Sequence, residues 1–258
     1  MPLLSTAGAA SHRGFRSYGI GSSGPIEASG GNEYLDPTDV DYMIHEFTAD
    51  DTFEVTECPE GATIELLAVA GGGGGGGLSG GGAGGYIYNP EFPIGVGSWP
   101  VVIGSGGVVE GYGVDTIFGD PFTGIGAWAL GGGFGYAGFS GKGGDGGSGG
   151  GGIGANTGGA ALQPTASSPG YGNKGGDGAG GTSGGGGGGA GSAGSNITGG
   201  SGRTADIRNP SGVFDVLAAG GYGFGGAVLP AAQANTGNGG YAGTSGQSGI
   251  IRIRYKFQ

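Results

Sequence analysis

The sequence predicts a mostly β and irregular fold: a small antiparallel β platform carrying a sandwich of polyglycine-II helices, with essentially no α-helix. Three observations predict it. Of the 258 residues, 77 are glycine, about 30% against a usual level of roughly 7%, and 69 of them lie after residue 70. Large apolar side chains are scattered through this glycine body (Tyr112, Phe118, Phe122, Trp128, Phe134, Tyr136, Phe139, Tyr171, Phe214, Tyr222, Phe224, Tyr241) and serine is a minor partner, unlike a flexible Gly/Ser linker. Finally, Ile251, Ile253, Tyr255 and Phe257 alternate with Arg252, Arg254 and Lys256, the period of two of a half-buried strand.

The glycine body comes first. Glycine weakens both α-helices and strands. The polyproline-II conformation tolerates it: three residues per turn, a rise of about 3.1 Å and no internal hydrogen bonds. Buried amides and carbonyls then need partners, which a neighbouring helix supplies if glycine lets the backbones approach. Candidate runs are 71–77, 80–85 (broken by Ala83), 143–152, 175–181 and 184–191. Lys142-Gly-Gly-Asp145 recurs as Lys174-Gly-Gly-Asp177, 32 residues on. The repeat reads as helix, long loop, helix.

Strands flank the body. Residues 63–69 are apolar and bounded by Gly61 and a glycine run; 101–103 follow Trp99-Pro100; 42–47 and 52–55 carry acids. The C-terminal strand, with a basic outer face, is expected to pair with one of the acidic segments, since opposite charges across strands are favourable. The domains expected are an anchor at 1–40, a platform with the first glycine helices at 41–110 completed by 248–258, and a glycine sandwich with variable loops at 111–247.

Charge and composition exclude several functions. Nine Lys/Arg against 20 Asp/Glu give a net charge of −11, which is no cationic footprint for nucleic acid or an anionic membrane surface. No apolar run approaches the roughly 20 residues of a membrane span, and the first residues are not those of a secretory signal. The single Cys58 is expected to be a reduced structural residue. Gly-x-Gly-x-x-Gly matches are chance at this glycine content, and Ser140-Gly-Lys142 is no phosphate loop, because Tyr136 and Gly143 occupy its required positions. Two histidines are too few for a histidine-rich metal site. Asp36, Asp39 and Asp41 lack the glycine and distal Glu of an EF-hand and read as solvated. No enzyme, cofactor or metal is expected, although paired carboxylates are left open by sequence.

A resemblance emerges from the order of short motifs. Phe47-Thr-Ala-Asp-Asp-Thr-Phe53-Glu-Val55 is followed by Glu65-Leu-Leu-Ala-Val69, by Gly71 to Gly77, by Gly81-Gly-Ala-Gly-Gly85, by Ile103-Gly-Ser-Gly-Gly107 and by Ser248-Gly-Ile-Ile-Arg-Ile-Arg-Tyr255. Over about residues 43–258 this resembles the glycine-rich domain of bacteriophage tail proteins, and is similar to the fibre-tip adhesins of T-even-like phages. It departs from their pattern at Asp50-Asp51, where Ser-Gly is usual, and at Cys58-Pro59-Glu60-Gly61.

The resemblance implies a virion protein of the phage tail, assembled in the bacterial cytoplasm. Loops on a polyglycine-II scaffold would contact a host surface receptor, an outer-membrane protein or glycan. The candidate loops are 110–127, 153–171, 196–214 and 222–238, with Tyr112, Phe118, Trp128, Tyr171, Arg203, Arg208, Phe214, Tyr222 and Phe224 as contact residues. The competing reading of the aromatics is as cover for the glycine sandwich. Leu3, Leu4, Phe15, Tyr18 and Ile20 would anchor the chain to other fibre or tail subunits. A fibre implies a homotrimer; a fibre cap can be a single copy. The other classes weighed are a virion subunit without receptor contact, such as a capsid decoration or tail connector, and an ice-binding protein, which the long irregular loops disfavour.

Overall fold

The computed structural model describes residues 24–120, 125–164, 170–180, 183–224 and 234–258. The anchor residues Leu3, Leu4, Phe15, Tyr18 and Ile20 lie outside them. The described residues form twelve strands and no helix, and the paired strands are antiparallel.

Ten strands make two five-stranded sheets. The first contains β1 (Glu27–Ser29), β4 (Asp51–Glu57), β7 (Gly97–Val102), β8 (Thr116–Asp120) and β9 (Ile125–Ala129), ordered β1-β4-β7-β8-β9. The second contains β2 (Asn32–Asp36), β3 (Asp39–Phe47), β5 (Thr63–Val69), β6 (Tyr86–Pro93) and β12 (Ile250–Lys256), ordered β2-β3-β12-β5-β6. A short hairpin joins β10 (Arg203–Thr204) to β11 (Val216–Leu217). Because β1 and β2 hydrogen-bond into the sheets, the platform begins near residue 26, inside the segment read as anchor.

The sheets face each other across one core. Phe53, Val55, Val101 and Phe118 meet Phe47, Ile64, Leu66, Ile251, Ile253 and Tyr255 there, with Cys58 buried as a free thiol. The opposite face of the second sheet is covered too: Ile44, Leu67, Val69 and Ile250 pack against Ala205, Ile207, Leu217 and Ala218. Burial on both faces explains why β5 reads as a continuous apolar run rather than an alternating one.

The same cover changes the expected basic face. β12 lies between β3 and β5, with Arg252 opposite Glu46 and Arg254 opposite Glu65. The pairing with an acidic segment is as expected, but Arg252 is buried, not outward. Its Nε donates to Glu46 at 2.7 Å and its guanidinium also reaches Asp215 and the Ile207 carbonyl. Arg254 pairs with Asp36 at 2.7 Å and with Glu65. An unpaired buried guanidinium would be costly, so the returning 205–215 segment supplies the missing carboxylate. Asp36 is likewise held, by Arg254 and by the Thr38 amide and hydroxyl, and its carboxyl lies below the usual range because these hydrogen bonds outweigh its burial. Asp36 thus departs from the solvated reading, whereas Asp39, exposed, and Asp41, half-exposed, keep to it.

The glycine body grows from the β5 end. Successive amides of the first run point to different neighbours: Gly71 and Gly74 donate to Val114 and Gly111, Gly72 and Gly75 to Gln247 and Thr244, Gly73 and Gly76 to Gly82 and Ser79. Its carbonyls accept from Gly107 and Glu110, from Gly132 and Gly135, and from Gly240 and Gly243. Partners therefore repeat every third residue along the run. The second run behaves alike: Gly80 and Ala83 donate to Gly185 and Gly188, Gly81 and Gly84 to Gly240 and Gly237, Gly82 and Gly85 to Gly133 and Leu130. These two runs are the interior of the body. A Cβ on Gly74 or Gly75 would lie 1.8 Å from a neighbouring carbonyl oxygen. Ala83 is the exception, its methyl joining the apolar cluster around Tyr86.

Candidate functional site

The hydrogen-bond ladder gives the body an axis. Ala70 pairs with Gly85 next to the platform and Gly76 with Ser79 at the far end. Six residues of the first run, Ala70 to Gly76, separate the two ends. Among the described residues, the same ladder assigns further turns to one end or the other. Turns at 77–79, 108–111, 137–141, 153–155, 195–198 and 241–244 lie at the outer end, while 160–164, 201–217 and 234–237 lie beside the platform.

The outer end is apolar and nearly neutral. Val108, Val109, Phe139 and Phe224 are exposed there, Phe139 at 84%. Lys142, which lies near it, and Lys174, midway along its run, are each held by an aspartate three residues on, at 2.8 Å and 2.9 Å. Glu110 is an exposed carboxylate with φ of 62°, a left-handed backbone uncommon outside glycine.

The nine residues expected to form one contact surface do not come together. Phe224 is exposed at the outer end, its amide donating to the Leu78 carbonyl. Tyr222, half-buried, lies two residues inward against Tyr241, ring centroids 6.1 Å apart; burial, then the Tyr222 neighbour, pushes the Tyr241 hydroxyl up. Tyr112 sits on the flank, edge-on to Phe134 at 4.8 Å. Phe118 is fully buried in the platform core, stacked on Trp99 at 5.8 Å, so it is not a contact residue. The segment 110–127, expected as a loop, contains β8 and the start of β9. Trp128 is half-buried in β9 and donates its indole N–H to Asp115 at 2.7 Å, while Asp115 also accepts the Gly131 amide.

The other four lie beside the platform. Arg203 stacks on Tyr171, 3.9 Å from the ring centroid, and lies 5.7 Å from that of Tyr86. Tyr86 is buried and its hydroxyl donates to Asp206 at 2.7 Å; burial first, then that hydrogen bond, push its pKa well up. Arg208 stacks on Phe214 at 4.0 Å and donates to the Gly212 carbonyl. The two arginine–aromatic pairs sit on or against the hairpin of β10 and β11, at the opposite end from Phe224.

Several aromatics also serve as cover. A Cβ on Gly144 would meet the Phe134 ring at 2.5 Å, and one on Gly141 the Tyr136 ring at 2.4 Å. These rings lie flat against glycine backbone, as the covering reading expects. Phe139, a large apolar residue of the glycine body, lies outside the expected contact set. Its signal was position: it follows a run and precedes Lys142-Gly-Gly-Asp145, so it falls on a turn.

Among the described residues no three His, Cys, Asp or Glu gather as a metal site. One polar recess of ≈ 310 Å³ borders Glu46, Asn209, Asp215, Asn235 and Arg252, but its charged groups are already paired with one another.

The sequence matches a family model described as a glycine-rich domain over residues 48–256. The chain belongs to this family. The matched span starts just after β3 and ends with β12, so the glycine-rich domain takes in both interior runs and most of the platform. A search of curated proteins found no match. No helix among the described residues of this glycine-rich domain is long and apolar enough to cross a membrane.

Proposed function

We propose that this chain is a bacteriophage virion protein, most concretely a tail-fibre tip adhesin, with its glycine runs acting as polyglycine-II helices. The observation that carries the reading is the outer end of the body: turns between hydrogen-bonded runs, set six residues of the first run away from the platform, expose Val108, Phe139 and Phe224. Apolar and aromatic side chains on a rigid support suit a contact surface, because little side-chain and loop entropy remains to be lost on binding. The sequence resemblance gives the context: a virion assembled in the host cytoplasm, other tail or fibre subunits as partners, and an outer-membrane protein or glycan as receptor. No catalytic role is part of the reading.

A second reading, a virion subunit without receptor contact, is favoured by the platform-side pairs Arg203–Tyr171 and Arg208–Phe214. The exposed rings of Tyr171 and Phe214, each stacked with a half-buried arginine on or against the hairpin, suit a subunit interface equally well.

The test is binding of labelled protein to a panel of bacterial cells, beside a variant with Val108, Phe139 and Phe224 changed to serine. Saturable binding that is lost in the folded variant supports the adhesin. A variant that binds as the parent does moves recognition away from the outer end. A folded parent that binds no cell, including the host of its phage, leaves the subunit reading.

A further inference from the structure

Seven of the nine Lys/Arg are among the described residues, Arg13 and Arg16 being the others. Six of the seven lie within 3.9 Å of a carboxylate: Lys142, Lys174, Arg203, Arg252, Arg254 and Lys256. Arg208 is the seventh and, among the described residues, has none, although the chain holds 20 Asp/Glu. Its guanidinium is nonetheless fixed. Nη1 donates to the Gly212 carbonyl at 2.9 Å, and the group stacks on Phe214, 4.0 Å from the ring centroid. The backbone beneath is held as well: the Tyr34 hydroxyl donates to the Arg208 carbonyl at 3.0 Å, and Asn209 Oδ1 accepts the Ser211 and Val213 amides, each at 3.0 Å. The Nε and Nη2 protons are left over. Among the described residues no acceptor meets them, and neither atom is sealed from solvent.

We propose that the open edge of Arg208 is a carboxylate-binding site, and that its ligand is a protein partner presenting that carboxylate beside an aliphatic side chain. Nε and Nη2 share one edge of a planar group, spaced to meet both oxygens of a carboxylate at once. A dianion such as phosphate is repelled about twice as strongly as a monoanion by a chain at −11. The surroundings select the aliphatic neighbour. Asp215 and Leu217 turn inward, to Arg252 and to the apolar cluster under the hairpin, so Phe214 and Val216 turn outward, 40% and 58% exposed. Val213 at the turn is 56% exposed, and Gly212 abuts Pro37. An arginine held on an aromatic ring above a closed turn loses little freedom on binding, the composition of an interface hot spot. The site lies where the subunit reading places an interface, but the inference stands on Arg208 and holds for a partner of any origin.

The test follows the Arg208 Nε–H resonance of the ¹⁵N-labelled full chain, assigned by its loss in Arg208→Lys. The probes are N-acetyl-leucine, its uncharged amide, acetate and inorganic phosphate. N-acetyl-leucine should shift this resonance and the Val213 and Val216 amides saturably, about tenfold more tightly than its amide does, the scale of a charge-assisted hydrogen bond. Acetate should bind more weakly than N-acetyl-leucine, and the buried Nε of Arg203 should not respond. Arg208→Lys, which keeps the charge and loses the fork, should lose the Val213 and Val216 shifts. No shift, or equal binding of the acid and its amide, would overturn the carboxylate site, and both outcomes are read on the parent alone. Phosphate binding more tightly than either carboxylate would reassign the site to a phosphorylated ligand and overturn the proposal. N-acetyl-leucine no tighter than acetate would overturn the aliphatic part. Sedimentation of the parent as a dimer, reverting to monomer in Arg208→Lys, would assign the site to a second copy and overturn a foreign partner.

Discussion

Asp145 and Asp177, 32 residues apart, hold one glycine run from different sides: Asp145 accepts the Ala160 amide at 2.6 Å and Asp177 the Gly158 amide at 2.8 Å. Between them the Gly159 amide turns to the Gly150 carbonyl. The recurring Lys-Gly-Gly-Asp is therefore a fastening. The lysine fixes the carboxylate, and the carboxylate closes an amide that the three-residue repeat leaves without a run to face.

The two fastenings are unequal, because Gly158 is buried and Ala160 exposed. Asp177→Ala should cost about 1–3 kcal/mol, the penalty of a buried amide left unmade. Asp145→Ala should cost about 1 kcal/mol or less, since water can replace it. Denaturant midpoints of the two variants check the order. Both carboxyls sit below their usual value, chiefly through the lysine hydrogen bond. Their contribution is therefore present above the unfolded carboxylate value and lost as pH falls through the lower folded one.

The interior runs should not accept a methyl group. Gly75→Ala places a Cβ against the Tyr241 carbonyl oxygen, backbone that cannot step aside without moving a whole run. It should cost about 3 kcal/mol or more. Gly95→Ala, with nothing within 4 Å of its Cβ, should stay within about 0.5 kcal/mol of the parent. Thermal midpoints measured side by side decide this.

Arg252 makes the hairpin cover of the second sheet depend on one carboxylate. Asp215→Ala leaves the buried guanidinium with Glu46 and a carbonyl and should destabilise by about 3 kcal/mol. Limited proteolysis should then cut within 203–217 before the platform opens.

His45 predicts an acid sensitivity. Its Nδ1–H donates to the Gly30 carbonyl at 2.7 Å, so Nε2 accepts from the Tyr255 hydroxyl at 2.9 Å and the ring is neutral. Burial lowers its pKa, against the pull of the Gly30 carbonyl and of Glu33. The unfolded chain then binds a proton that the folded one refuses. Stability is full above the ordinary histidine value of 6.5 and declines as pH falls below it, before the carboxylates titrate. Urea titrations at pH 7.5 and 5.5 should show the loss in the parent and not in His45→Gln, which is weaker at both.

The class of fold, the C-terminal strand and the two interior runs were legible because each has a local signature: period two, or near-continuous glycine. Burial of Arg252 was not, since it depends on Asp215 arriving from 37 residues away in sequence. Phe118 shows the same limit in reverse. An aromatic next to a glycine, in a glycine-rich stretch, reads as a loop side chain, yet β8, which carries it, lies between β7 and β9. The split of the expected contact residues between two ends was hidden because run direction is set by hydrogen bonds among residues of identical type.

That sameness has a further consequence. Where the partners of Gly71 are repeated at Gly74 and those of Gly72 at Gly75, the interior has a translational period of three residues, with only its ends distinguishable. Matched insertions of three glycines in each run would lift the outer turns and restore every bond, by about 9 Å on the polyglycine-II reading. One or two would rotate each added stretch out of phase with its neighbours. The height of such a body is adjustable in triplets, independently of what its turns display.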